Sequence, residues 1–182
     1  MTIVTNVFDA RVLLRKGYTL AYPTEAVYGL GCDIYQQDAV ERVLTLKKRD
    51  KSKGLIVLIS TWEQLISLIA PISDQLLDPV RKSWPGPVTW VFPKARTVPE
   101  WISGHHEGIA IRMSAHDIAY QLCEEGPIVS TSANISGYEP ARTLTELRLQ
   151  FPEGLDAIMH ADLGGLNQPS AIYDVQSGTR LR

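Results

Sequence analysis

The sequence predicts an α/β protein in which helices cover at least one face of a sheet. Three observations predict it. Strand-like apolar runs and helix-like stripes alternate through most of the length. Pro23, Pro85, Pro87, Pro93, Pro99, Pro127 and Pro140 punctuate the connections. No internal repeat, low-complexity tract or Gly/Ser-rich linker divides the 182 residues, so one domain over 1–182 is the simplest organisation.

The elements follow in order. Val4, Val7, Phe8, Arg11, Val12 and Leu14 stand at near-helical spacing, which predicts an amphipathic helix over 4–16 ending at Gly17. YTLAY (18–22) is a short apolar strand stopped by Pro23. The stretch TEAVYGLGCD carries Gly29 and Gly31 and reads as loop or short helix. Asp38 is a candidate cap for a helix reaching about Arg49, with Ala39, Val40, Val43, Leu44 and Leu46 apolar. Leu55–Ile59 is a continuous apolar run of strand length. Helical patterns cover 61–70 and 74–82, and strands are expected at 89–92 and 109–113. A helix over 115–124 and a strand over 127–130 come next. A helix near 143–150, a strand near 156–160 and two short terminal strands complete the series.

A chain of this size buries roughly 70% of the surface its unfolded form exposes, enough for one sizeable core. With 45% hydrophobic residues and a net charge of −2, the composition excludes disorder as the main state. The slight acidity (18 Lys+Arg against 20 Asp+Glu) disfavours a basic coat for whole-surface capture of RNA or DNA. Cys32 and Cys123 form no C-x-x-C pair, so two free thiols in a reducing compartment are expected. Asp9 and Arg11 interrupt what would have to be an apolar signal core. No apolar run is long enough to cross a membrane. A cytoplasmic protein without membrane contact is the expectation.

Polar chemistry collects in four places. In Tyr22-Pro23-Thr24-Glu25-Ala26-Val27-Tyr28-Gly29-Leu30-Gly31, an apolar strand runs into a Thr-Glu pair and a glycine-bearing loop. Ligands of open α/β sheets bind beyond the carboxyl ends of strands, although an ordinary tight turn explains these residues about as well. Lys47-Lys48-Arg49-Asp50-Lys51-Ser52-Lys53 places five cations in seven positions. A solvated helix end accounts for most of them. Lys47 is different, because it falls three and four positions after Leu44 and Val43 and so continues the apolar stripe. A lysine there is costly unless an anion meets it, and Arg49 can reach the same place. Val129-Ser130-Thr131-Ser132-Ala133-Asn134-Ile135-Ser136-Gly137 offers uncharged donors for a phosphate or carboxylate, or a turn that satisfies its own backbone. Ser132 and Asn134 share a side if this piece is extended. Arg112, near the end of IAIRM (109–113), is either a surface residue or a bidentate clamp for a carboxylate.

Other sites are absent from the sequence. It contains no P-loop, no GxGxxG and no GxSxG elbow. His105, His106, His116 and His160 form no H-E-x-x-H pair, and His105-His106 beside Gly104 reads as a solvated surface loop.

Together these stretches resemble the YrdC-like family over essentially the whole chain. The resemblance is carried by YPTEAVYGLG (22–31), LKKRDKSKGLIVLI (46–59), WPGPVTWVFP (84–93), IAIRM (109–113), STSANISG (130–137) and QPSAIYDV…LR (168–182). It implies a twisted, open, mixed sheet with flanking helices and a large concave face. It further implies an ATP-dependent nucleotidyltransferase that joins L-threonine and bicarbonate or CO2 to AMP and releases pyrophosphate. The threonylcarbamoyl group is destined for adenosine 37 of tRNAs reading ANN codons, through a threonylcarbamoyl-transferase complex. By similarity, Lys47, Arg49, Ser132 and Asn134 match a K-x-R/S-x-N tetrad around ATP, and these four carry the implied catalysis. Thr24, Arg112, Ser130 and Ser170 match positions around threonine, with Arg112 as carboxylate partner. Arg182 matches an arginine near the nucleotide. Mg²⁺ is expected with ATP. Relatives tend to carry a histidine in the strand after K-x-R, where this chain reads LIVLI.

The implied chemistry suits these residue types. Threonine's amine and CO2 give a carbamate, already an anion, whose oxygen attacks the α-phosphate without losing a proton. Positioning and charge neutralisation are then the main requirements. The rival reading is a module that holds tRNA or double-stranded RNA on a basic concave face without chemistry. Its binding would collapse steeply with salt.

Overall fold

A computed structural model describes residues 1–168 and 170–182. Its strands are β1 (Thr2–Val4), β2 (Leu20–Pro23), β3 (Tyr28–Gly31), β4 (Ile56–Ile59), β5 (Val88–Pro93), β6 (Gly108–Met113), β7 (Ile128–Ser132), β8 (Ala157–Met159) and β9 (Ala171–Asp174). They form one mixed sheet in the order β1-β8-β2-β3-β7-β4-β6-β5-β9. Pairing is antiparallel through the centre, at β2/β3, β3/β7, β4/β7 and β5/β6. It is parallel at β1/β8, β2/β8, β4/β6 and β5/β9.

The helices are α1 (Val7–Arg15), α2 (Gln37–Lys47), α3 (Trp62–Leu68), α4 (Asp74–Ser83), α5 (Glu100–Ser103), α6 (Asp117–Leu122) and α7 (Leu144–Gln150). Side chains fix several of their starts. Asn6 accepts from the Asp9 N–H at the head of α1, and Thr143 with Glu146 builds a reciprocal capping box on α7. The helices divide unequally between the faces of the sheet. Residues of α2, α3, α4, α5 and α7 join the larger core, with Val57, Ile111 and Val129 from the strands. Residues of α1 and α6 join a smaller core around Leu20, Tyr22, Leu58 and Ile128. α2 contributes Val40, Val43 and Leu44 to the larger core. Each such side chain stabilises the docked helix by roughly 1.5–3 kcal/mol. That anchoring fixes where Lys47, the last residue of α2, can reach.

Several boundaries differ from the sequence expectation, each for a physical reason. Thr2–Val4 pairs in parallel with β8, so the first helix begins after Asn6 and not at Val4. The stretch after Pro23 is not loop or helix: it turns tightly, with the Thr24 N–H donating to Val27 O, and returns as β3. Its two glycines hid the alternation. Gly31 is required there, because a Cβ would stand 1.8 Å from the Val129 carbonyl oxygen of neighbouring β7. Asp38 lies within the first turn of α2, one position past the helix start. α5, at four residues, is too short to show a period. The chain end supplies one strand, β9, and a single bridge from Arg180 back to Tyr173, in place of two strands. The strands expected at 55–59, 89–92, 109–113, 127–130 and 156–160 are present within a few residues, as are the helices between them.

Candidate active site

Where α1 and α6 stop covering the second face of the sheet, the strands form the floor of a cavity of about 600 Å³. Cross-strand partners share a face, and the register strings the floor together. Gly29 stands opposite Ser132, Ser130 opposite Ile56, Ile56 opposite Ala110, Ala110 opposite Val91, and Leu58 opposite Arg112. All of these residues line the cavity. The adjacent strand residues Val57, Ile111 and Val129 point into the larger core. The volume falls in the usual range for a small-molecule site.

Cations come from three directions. Arg49 and Lys53 stand on the segment after α2, Arg112 on β6, and Arg182 at the end of the chain. Arg182 is brought in by backbone pairing of the last residues with Ile172, and its guanidinium donates to Ser170 O at 3.1 Å. Among the described residues, Arg49, Lys53 and Arg182 have no carboxylate in salt-bridge range. Burial pulls the Arg49 guanidinium below its ordinary range, and repulsion from Arg182 adds to it. Burial does the same to Arg182. Among the described residues, the buried Arg49 Nε has no hydrogen-bond partner. Two guanidiniums that repel each other across a hollow, one with an unmet donor, make a strong receptor for a polyanion.

Lys47 and Asn134 are not among the lining side chains. Lys48, in the left-handed conformation (φ 49°), turns the chain after α2. Lys47 therefore stays buried while Arg49 faces the cavity. Lys47 Nζ donates to the Ser132 carbonyl, to Asn134 O at 2.8 Å and to Asn134 Oδ1 at 3.4 Å. The lysine is met by carbonyl oxygens, where the sequence argument called for an anion. Burial lowers its pKa to about 8, with the Arg49 charge contributing. Ser132 Oγ donates to Asn134 Oδ1 at 2.5 Å, and Asn134 Nδ2 donates to Tyr138 O at 2.8 Å. Lys47 and Asn134 thus brace the turn that carries Ser132 to the cavity wall.

At the other end of the floor, Arg112 is already paired. Its guanidinium meets the Glu25 carboxylate, and its Nε donates to Gly86 O at 3.1 Å. Glu25 Oε1 also accepts from Ser114 Oγ and from the Ala115 N–H, both at 2.9 Å. Burial alone would raise the Glu25 pKa, but the charge and hydrogen bonds of Arg112 outweigh it and hold the carboxyl below its ordinary range. Nearby, Thr24 Oγ1 donates to Val27 O at 2.7 Å, and Ser170 Oγ lies 3.1 Å from Thr89 Oγ1.

Of the residues nominated from sequence, Thr24, Arg49, Arg112, Ser130, Ser132, Ser170 and Arg182 line one cavity, and Lys47 and Asn134 sit behind its wall. Cations from the first half and uncharged donors from the second half do converge. Sequence reasoning missed His106, treated as a solvated surface loop, which lies on the cavity rim. It also gave no role to Glu25 beyond the turn. A signal for Glu25 existed: an acidic residue inside an apolar strand-turn needs a cation, and Arg112 is in a strand of like character.

An open-faced α/β sheet that gathers unpaired guanidiniums beside neutral hydroxyl donors defines a binder of a polyanionic small molecule. The chain belongs to the Sua5/YciO/YrdC family, whose model, described as "Telomere recombination", matches residues 12–182. It is 46% identical over 179 residues to the threonylcarbamoyl-AMP synthase of Coxiella burnetii (strain RSA 493 / Nine Mile phase I), covering 97% of this chain and 96% of the relative. The threonylcarbamoyl-AMP synthase of Methylococcus capsulatus is 47% identical over 171 residues, covering 93% and 92%. Among solved structures, P. abyssi Sua5 complexed with L-threonine superposes with a TM-score of 0.90 at 32% identity. That match covers 98% of this chain and 55% of the P. abyssi chain. E. coli YciO, at 22% identity and a TM-score of 0.84 over 99% and 91% of the chains, shares the fold.

Proposed function

We propose that this chain is a threonylcarbamoyl-AMP synthase, a nucleotidyltransferase that makes L-threonylcarbamoyladenylate and pyrophosphate from L-threonine, bicarbonate or CO2, and ATP. The observation that carries the reading is the convergence of Arg49, Lys53, Arg182 and the hydroxyl side chains of β7 on one hollow. The names of relatives at 46% and 47% identity, and of the threonine complex of P. abyssi Sua5, support it.

In this reading the triphosphate lies between Arg49 and Arg182, relieving their mutual repulsion; Ser130 donates to a phosphate oxygen, and Ser132 does so by turning its single hydroxyl proton away from Asn134 Oδ1. Lys47 and Asn134 hold Ser132 in place. Threonine's carboxylate meets the free edge of Arg112, near Thr24 and Ser170. The threonine carbamate oxygen then attacks the α-phosphorus. A new O–P bond forms, the bond to the pyrophosphate oxygen breaks, and pyrophosphate leaves with the charge. No proton needs to move in that step, so no catalytic histidine is required. Fixed donors of this kind typically lower the barrier by about 2.7–4 kcal/mol each.

Mg²⁺ enters as the ATP complex, part of the substrate. Among the described residues no cluster of three His, Cys, Asp or Glu forms a cage. Mg²⁺ commonly binds nucleotides through phosphate oxygens and water. When bound, it neutralises phosphate charge. The adenylate would pass to a threonylcarbamoyl-transferase complex acting on adenosine 37 of tRNA, in the cytoplasm. Among the described residues no helix is long and apolar enough to cross a membrane. The cations line a bounded hollow, which favours a small anion over direct capture of tRNA or double-stranded RNA.

Incubation with ATP, Mg²⁺, bicarbonate and threonine should give threonylcarbamoyl-AMP by mass spectrometry, and omission of any one substrate should abolish it. Absence of product from the full mixture, or product without threonine, overturns the proposal.

A further inference from the structure

We propose that Glu25 is a positioning residue that sets the affinity for threonine by locking the Arg112 guanidinium. The inference rests on the reading of Arg112 as the carboxylate partner.

Arg112 is held on two edges. Its Nε donates to Gly86 O, and its Nη2 faces Glu25, so that among the described residues Nη1 is the nitrogen left to meet a substrate. Both partners are largely buried, with side-chain exposures of 12% for Arg112 and 9% for Glu25. Water therefore cannot substitute for either without a large loss. Glu25 is itself fixed from behind by Ser114 Oγ and the Ala115 N–H. Its backbone is tied as well: the Leu166 N–H donates to Glu25 O at 2.8 Å, and Gly164 packs so closely that a Cβ would lie 2.8 Å from Glu25 Cα. So much anchoring exceeds what charge balance alone requires. It places one carboxylate oxygen at a set point beside Arg112.

The sign of the effect separates two roles. If Glu25 only neutralised Arg112, removing its charge would free the guanidinium to bind threonine's carboxylate more tightly. If Glu25 positions Arg112, removing it releases the fork, and threonine binds more weakly. A glutamine at 25 keeps the acceptor for Ser114 and Ala115 but turns an N–H₂ toward Arg112, so the pair is broken with little change in volume.

The test is steady-state kinetics of pyrophosphate release by Glu25→Gln and wild type, with calorimetric titration of L-threonine. Wild-type formation of threonylcarbamoyl-AMP is established first; its absence overturns the functional reading and leaves no Glu25 comparison to make. With wild type active, the expected result is a tenfold or greater rise in threonine KM with ATP KM within twofold. Glu25→Asp should restore part of the loss. An unchanged or lower threonine KM, or equal rises for both substrates, overturns the proposal. Should Glu25→Gln fail to fold, Ser114→Ala removes one anchor of the carboxylate. It should raise threonine KM about threefold with ATP KM unmoved, and an unmoved threonine KM in that variant overturns the proposal.

Discussion

Replacing Lys47 by methionine separates its structural contribution from its charge. Methionine keeps the length and the apolar stem, and removes three donors. The Asn134 carbonyl then loses its lysine partner, while Ser132 O keeps the Asn134 N–H and Asn134 Oδ1 keeps the Ser132 hydroxyl. Hydrogen bonds from a charged donor contribute about 1.5–3 kcal/mol each. The burial that lowers the lysine pKa to about 8 offsets part of this. A net loss of about 2–3 kcal/mol is expected, which for a chain of this size lowers Tm by roughly 4–12 °C. Adenylate synthesis should fall with it, because the turn bearing Ser132 loses the side-chain brace that Lys47 supplies from α2. Scanning calorimetry and pyrophosphate release measured well below Tm check both. The pH dependence gives a second readout. In the fold Lys47 loses its proton near 8, whereas in the unfolded chain it does so near 10.4. Between those values the unfolded state holds more protons, so raising the pH stabilises the wild type. The Tm gap to Lys47→Met should widen from pH 7.5 to 9.5. A variant with wild-type Tm and rate, or a gap that narrows with pH, would refute the reasoning.

Three further substitutions test other parts of the site. Arg49→Ala should reduce kcat/KM for ATP by about 10²–10³-fold yet melt close to wild type, since among the described residues its guanidinium makes one backbone hydrogen bond, to Gly54 O; wild-type pyrophosphate release would remove Arg49 from the mechanism. Arg112→Ala should raise threonine KM more than ATP KM and cost about 3–5 kcal/mol of stability by stranding the Glu25 carboxylate. Equal changes in the two KM values would count against the carboxylate role. Gly31→Ala forces a Cβ against the Val129 carbonyl and should lower stability by about 3 kcal/mol; an unchanged denaturant midpoint would show that β3 and β7 can separate at little cost.

The legible parts of the fold were those with a long hydrophobic period or a continuous apolar run. The strands containing Val57, Ile111 and Val129, and the α2 stripe through Val40, Val43 and Leu44, were visible because their side chains reach the larger core. β3 was hidden because Gly29 and Gly31 carry no side chain to show which face they occupy. β1 was absorbed into a helix because Val4 happens to sit three residues before Val7, and pairing with β8 is non-local information. The site was partly legible for the same reason. Lys47 on an apolar stripe announced burial, but only the tertiary structure shows that its partners are carbonyls of the turn after β7. Glu25 and Arg112 are far apart in the chain, and no local pattern couples them. The large concave face and the roles around ATP and threonine came from family resemblance, not from periodicity.

The hollow's floor is the reverse side of the larger core, and this ties tolerance to substitution to the parity of residue numbers. In β4, β6 and β7, odd-numbered Val57, Ile111 and Val129 face the packed interior, while even-numbered Ile56, Ala110, Arg112, Ser130 and Ser132 face the ligand space. A deletion of one residue within any of these strands would exchange the two sets. Catalytic specialisation can therefore proceed by single replacements at even positions, but never by sliding a strand, because the same slip that moved a hydroxyl would expel a valine into water.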